Sequence, residues 1–217
     1  MKRNTPHRLT PDIRRNLENL QDFIVVDVET TGFDARTNRV IEIGMLKVVN
    51  GKEIESFSSF INPGIPIPPH ITDLTGIKDV DVQSAPTFDE IVVDIATFMG
   101  DGIIVGHNVQ FDIRFMVAEF ARCGIRRDYH YADTLFLAKS MFPELKSYKL
   151  STLINYLGFE ETQSHRALDD ARCTLKILSF IRNRITTLPL DEAINRCCNY
   201  KDNCREDSRI VIASEER

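Results

Sequence analysis

The chain has 217 residues, 42% of them apolar and 27% charged, with a net charge of −5 and five cysteines. That balance fits one sizeable folded domain with tails and excludes a disordered chain, while the apolar runs are too short to span a membrane. An acidic balance also excludes gripping nucleic acid by bulk charge, although not through locally bound cations.

Residues 1–22 form a basic extension carrying Lys2, Arg3, Arg8, Arg14 and Arg15. Ile13, Leu17 and Leu20 fall at helical spacing, so a helix packed on the domain is expected. A nucleic-acid or partner contact is the alternative. The N-terminal stretch lacks the apolar centre of a secretory signal. An odd number of cysteines without framework spacing fits a reducing compartment, and the cytoplasm is the expected location.

The core is expected over 23–184. FIVVDVETTGFD, residues 23–34, opens it with a buried strand that runs into two acids. Side chains alternate along a strand, so Asp27 and Glu29 share a face, roughly 6.5–7 Å apart. Val26 and Val28 take the other face. Two like charges beside a core need cationic side chains, water at a strand end, or a bound cation. The D-x-E spacing alone does not choose among these.

A second strand is predicted over 40–49 and a third over 52–61, joined by Asn50-Gly51, the strongest short hairpin signal. NPGIPIPPH then reads as a proline-rich loop that cannot be a central strand. Thr87 and Glu90 make a capping box, followed at helical spacing by Ile91, Ile95, Phe98 and Met99. GIIVG, residues 102–106, is a short buried strand. Ile113, Met116, Val117, Phe120 and Ala121 predict an amphipathic helix stopped by Gly124. A short strand near 129–132 leads into a helix over 134–141, and Leu150, Leu153, Ile154 and Leu157 mark another before Gly158. A long helix is expected over 166–184, with Leu168, Ala171, Leu175 and Leu178 as its buried stripe. Antiparallel strands followed by alternating helices and strands define an α/β fold, a mixed sheet with helices on both faces.

Residues 185–217 read as an extension, partly helical. Leu190, Ala193, Ile194, Cys197 and Cys198 keep helical spacing after Pro189. Cys197, Cys198 and Cys204 lack a nearby histidine or a second paired spacing, so packing is preferred to a metal site.

More acids stand at the ends of elements. HNVQFD follows the GIIVG strand and places Asp112 at a helix start, where strand ends of open α/β sheets gather sites. A plain helix cap is the alternative for Asp112, and His107 and Asn108 could simply satisfy loop backbone. In SHRALDDA, His165 and Asp170 are five apart. On one continuous helix they would diverge by about 140°. They converge only if His165 precedes the helix and Asp170 lies in its first turns. A histidine beside a helix is otherwise an ordinary surface or core residue.

Four acids, Asp27, Glu29, Asp112 and Asp170, thus come from a first strand, a helix start and a late helix, with His165 nearby. Hard carboxylate oxygens without thiolates suit Mg²⁺ or Mn²⁺. Two such ions about 3.5–4 Å apart clamp the attacking and leaving oxygens of a phosphate displacement. An imidazole can take a proton from water near neutral pH.

DVETTG, HNVQFD and HRALDDA together resemble the three motifs of the DEDD family of 3′-to-5′ exonucleases, in its histidine subclass. VIEIG, LTGI, ADTLFLAK and Lys149-Leu150 add to the likeness, which spans about 23–184. It is strongest toward the proofreading epsilon subunit of bacterial DNA polymerase III and the exonuclease domain of the Gram-positive replicative polymerase. The resemblance implies a ribonuclease-H-like fold built on a mixed five-stranded sheet. It implies that Asp27, Glu29, Asp112 and Asp170 hold two Mg²⁺ or Mn²⁺ ions, Asp27 bridging them, and that His165 is the general base. It makes Thr30, Thr31, Thr75 and Asn108 nucleotide-binding candidates. The implied substrate is a single-stranded 3′ end, DNA before RNA, with release of nucleoside 5′-monophosphates. A polymerase partner is open, because no recognised polymerase-binding segment follows residue 184. RNA trimming and a non-catalytic polymerase-tethering role are the alternative functions.

Overall fold

The structure, a computed structural model, describes residues 17, 19–160 and 165–187. Five strands form one sheet: β1 (Phe23–Thr30), β2 (Val40–Val49), β3 (Lys52–Phe60), β4 (Ile103–Gly106) and β5 (Tyr131–Asp133). Their order is β3-β2-β1-β4-β5. The first three strands pair antiparallel, whereas β4 and β5 run parallel to β1. This is the expected mixed five-stranded sheet.

Local chemistry explains the antiparallel half. Asn50 and Gly51 have φ of 52° and 73°. Positive φ at both central positions is what a two-residue hairpin needs to match strand twist. The parallel half requires long crossovers, and helices supply them. Between β3 and β4 lie α1 (Pro69–Thr75), α2 (Asp79–Val82) and α3 (Phe88–Met99), between β4 and β5 lies α4 (Gln110–Arg122), and after β5 come α5 (Thr134–Met141), α6 (Leu150–Tyr156) and α7 (Ala167–Thr187). At the start of α3, the Thr87 N–H and hydroxyl both donate to the Glu90 carboxylate, at 2.8 and 3.0 Å.

The sheet separates two cores. Phe23 and Val25 of β1 pack with α7 and α6 residues on one side. Ile24, Val26 and Val28 pack on the other with Ile95, Phe98, Phe115 and Phe120. That alternation carries Asp27 and Glu29 onto the α7 side, as the two-residue period requires. Leu17 and Leu20 are buried in the same α7-side core. Ile13 and the basic residues before it lie outside the described residues. So do the expected helix after Pro189 and its cysteines.

Three expectations need correction. The proline-rich stretch does not stay a loop, because Pro69 and His70 open α1. Proline suits a first helical position, where its missing N–H has no intrahelical partner anyway. On α4 the buried face is Asp112, Phe115, Met116, Glu119 and Phe120, while Val117 is 44% exposed. Two acids therefore replace apolar residues on the inward stripe. On α7 the fully buried positions include Ala167, Ala171, Ile177, Leu178, Ile181 and Ile185, with Leu168 and Leu175 only half-buried. The helix also continues to Thr187. Its small residues at the start allow close approach to β2. A Cβ on Gly44 would overlap the backbone of Ala167 and Leu168.

Among the described residues, no helix is long and apolar enough to cross a membrane.

Candidate active site

The acids gather where β1 leaves its partners. β4 pairs with β1 only through Phe23, Ile24 and Val25. Beyond that point the Val28 N–H donates to Asp112 Oδ1 at 3.0 Å. A backbone donor that would otherwise be orphaned is thereby satisfied. Asp112 is 4% exposed and stitches the start of α4 to the strand. Its role therefore exceeds that of a helix cap. One residue further along, the β1–β2 register shifts between Glu29 and Thr30. Such irregularities re-aim side chains at strand ends.

From the other end of the chain, His165 lies two residues before α7 and Asp170 in that helix's first turns. This is the arrangement that lets the two converge. His165 has φ of 65°, and its N–H donates to Asp170 Oδ2 at 3.1 Å. Ligand-capable atoms of Glu29, His165 and Asp170 all lie within 4.8 Å of one another. Asp27 feels the charges of Asp112, Asp170 and Glu29, and Asp112 that of Glu29. All five residues thus share one electrostatic site.

Among the described residues no Lys or Arg pairs with Asp27, Glu29, Asp112 or Asp170. Burial and then the neighbouring acids push Asp27 well above the usual carboxylate range. Burial, followed by Asp170 and Glu42, raises Glu29 to about 8. Burial raises Asp170 to about 6 and also raises Asp112, against the backbone bonds that favour its charge. Crowded carboxylates that resist ionising are relieved by protons or by cations. Oxygen donors with one imidazole are a donor set for a hard dication.

A groove of about 730 Å³ runs from this cluster, lined by Leu74, Asn108, Leu135, Lys139, Tyr148 and Lys149 as well as His165 and Asp170. Its lining combines Asp170 and His165 with Lys139 and Lys149, and the lysines suit a polyanion. His107 also lines it. Its ring bonds Thr134 Oγ1 at 2.9 Å and the Tyr148 carbonyl at 2.7 Å. Burial lowers its pKa, and its two bonds tie the end of β4 to the start of α5 and to the segment before α6.

The nucleotide-binding candidates divide. Asn108 reaches the groove, with φ of 64° and its N–H held by Asp133 Oδ1 at 2.9 Å. Thr30 and Thr31 are buried. The Thr30 hydroxyl donates to the Gly32 carbonyl at 2.7 Å, and the Thr31 oxygen accepts the Arg39 N–H at 3.0 Å. Thr75 is buried too, its hydroxyl bonded to the Ile71 carbonyl and the Ile77 N–H. Its neighbour Leu74 reaches the groove instead. Leu74, Lys139 and Glu42 lie within the LTGI, ADTLFLAK and VIEIG stretches, and Tyr148 directly precedes Lys149-Leu150, but none of these motifs by itself marks them as site residues.

Comparison with known proteins agrees with the fold and motifs. The profile of a family described as exonuclease matches residues 24–178. The chain is 38% identical over 159 residues to a PolC-type DNA polymerase III of Clostridium perfringens, covering 73% of this chain and 11% of that protein. It is 37% identical over 172 residues to the DNA polymerase III subunit epsilon of Aquifex aeolicus, covering 77% of this chain and 85% of the relative. Its fold matches an E. coli exonuclease I solved with single-stranded DNA and zinc, at a TM-score of 0.70 and 19% identity, over 80% of this chain and 42% of that one.

A mixed sheet of this order, ending in gathered acids, is an exonuclease fold. The chain belongs to the exonuclease family. It is homologous to the exonuclease regions of PolC-type polymerases and of the epsilon subunit, and it spans about a tenth of the PolC-type length, 11%.

Proposed function

We propose that this chain hydrolyses phosphodiester bonds from the 3′ end of single-stranded nucleic acid, DNA in preference to RNA, and releases nucleoside 5′-monophosphates. The observation that carries the reading is the convergence of Glu29, His165 and Asp170 within 4.8 Å, beside buried acids with no Lys or Arg paired to them among the described residues. Asp27, Glu29, Asp112 and Asp170 would hold two Mg²⁺ or Mn²⁺ ions. Such a pair, when bound, stabilises the attacking and leaving oxygens of the displacement. His165 is exposed and next to the acids, and it takes the proton from the attacking water. Asn108 and Leu74 bound the groove in which the terminal nucleotide lies. Lys139 and Lys149 stand further along it, against the upstream backbone. Thr30 and Thr31 act by shaping the loop beside the terminal nucleotide, since their hydroxyls are engaged within the protein.

Relatives named as DNA polymerase III components support DNA as the substrate and a polymerase as the partner, in the cytoplasm. A purely tethering role is disfavoured because every acid of the cluster is intact. The deciding experiment is a time course on end-labelled single-stranded, paired, mismatched and RNA oligomers with Mg²⁺ or Mn²⁺. Loss from the 3′ end of DNA is expected, with RNA slower. His165→Ala should reduce the rate by about 10²–10⁴-fold. Full activity in chelator, or in His165→Ala, would sink the mechanism.

A further inference from the structure

Across the ladder from the paired acids, β2 carries its own pair. Gly44 stands opposite Asp27, and Glu42 stands opposite Glu29. Glu42 is 2% exposed, so a fifth carboxylate lies at the margin of the cluster. It differs from the other four in having a guanidinium. Arg166 donates to Glu42 Oε1 through Nε at 3.1 Å and Nη2 at 2.9 Å. The other carboxylate oxygen accepts the Ala167 N–H at 3.3 Å. The guanidinium also lies over the Phe60 ring, 5.0 Å from its centroid.

Arg166 directly follows His165, the residue with φ of 65°. Non-glycine residues enter that region rarely and at an energetic cost, so the surroundings must hold it there. One restraint is the His165 N–H bond to Asp170. The other is the side chain of the next residue, anchored to the strand facing the acids. Without that anchor the turn could relax toward negative φ, and the imidazole would swing away from Glu29.

We propose that Glu42 and Arg166 are positioning residues, a strut from β2 that holds the His165 turn so that the imidazole meets the acid cluster. The proposal rests on His165 being the general base.

The test uses the full chain and single-stranded DNA, with Arg166→Gln, Glu42→Gln, His165→Ala and the double variant of Arg166→Gln with His165→Ala. Arg166→Gln should lower kcat about 10–100-fold, the usual size for a partner that orients a site residue. KM should stay within about twofold, and Mn²⁺ affinity by calorimetry should stay at the wild-type value. Glu42→Gln should reproduce the loss. In the His165→Ala background, Arg166→Gln should cost nothing further, because the residue it orients is gone. The imidazole resonances of His165 should shift in Arg166→Gln while amides of the sheet do not. If Arg166→Gln fails to fold, Arg166→Lys carries the test, since an ammonium keeps charge but loses the planar fork. An unchanged kcat, or equal losses in both backgrounds, would overturn the strut. If His165→Ala itself is fully active, the general-base assignment fails first and is recognised separately.

Discussion

Helix α4 carries two buried acids seven residues apart, and they live in opposite circumstances. Glu119 is 1% exposed and meets Arg39 at 2.9 Å and Arg122 at 3.2 Å, with the Val40 N–H at 3.1 Å. Asp112 is equally hidden, but it faces Asp27 and Glu29 instead of a guanidinium. The last turns of the helix show how this chain neutralises an internal carboxylate when only folding is at stake. Its first turn gathers acids with no Lys or Arg paired to them among the described residues. Two turns of one helix thus separate an acid paired with guanidiniums from one that faces other acids.

Removing an uncompensated acid should produce the largest effect. Asp27→Asn should depress nucleotide release by more than the roughly 100-fold typical of outer partners. The same substitution should raise the melting temperature in chelator at neutral to alkaline pH, because a buried carboxyl that resists ionising in the fold has gone. Parallel activity and melting measurements check both halves, and a fall in both would refute the contrast.

Glu119→Gln should behave in reverse. Breaking a buried pair by neutralising one member costs about 3–5 kcal/mol. Denaturant unfolding should register that loss, while the folded fraction keeps its turnover. A selective loss of kcat without loss of stability would erase the distinction between the two acids.

Gly44→Ala should come next. Its methyl would force the start of α7 outward, for which overpacking values of about 1–3 kcal/mol apply. Melting curves and Mn²⁺ binding should both deteriorate, since His165 and Asp170 travel with that helix.

The smallest effect is a slope with pH. Glu29 is raised from 4.5 to about 8 and Asp170 from 3.8 to about 6. A raised folded pKa means that the native state binds protons the unfolded chain has released. The stabilisation is complete below the unfolded values and fades as pH climbs through 6 and then 8. In chelator, the melting temperature should therefore decline from about pH 4.5 to 8. Saturating Mn²⁺ should flatten that decline, and a melting temperature that rises over this interval in chelator would contradict the assignment.

The legibility of the molecule follows the range of its signals. Asn50-Gly51, the capping box at Thr87 and the stop at Gly124 act within a few residues, and each stands where the sequence places it. The acids could be read because motif order carried information that no single acid does. Glu42 and Glu119 could not. Arg166 is 124 residues from Glu42, and Glu119 is drawn inward by Arg39, 80 residues away, with only Arg122 close in sequence; a carboxylate between apolar neighbours on a strand or helix looks like a solvent position until the distant partner is known. The α7 stripe was misplaced for a related reason. Leucines mark hydrophobicity, but alanines mark closeness, and Gly44 made closeness decisive. Helix α1 was hidden by prolines that normally signal its opposite.

His165 and Asp170 sit on the last described helix, while Asp27 and Glu29 sit on the first strand. A ribosome that has released only residues 1–160 has made the whole sheet and three of the four acids. On the proposed reading, nuclease activity on nearby nucleic acid waits until α7 has been made and has docked against β1 and β2.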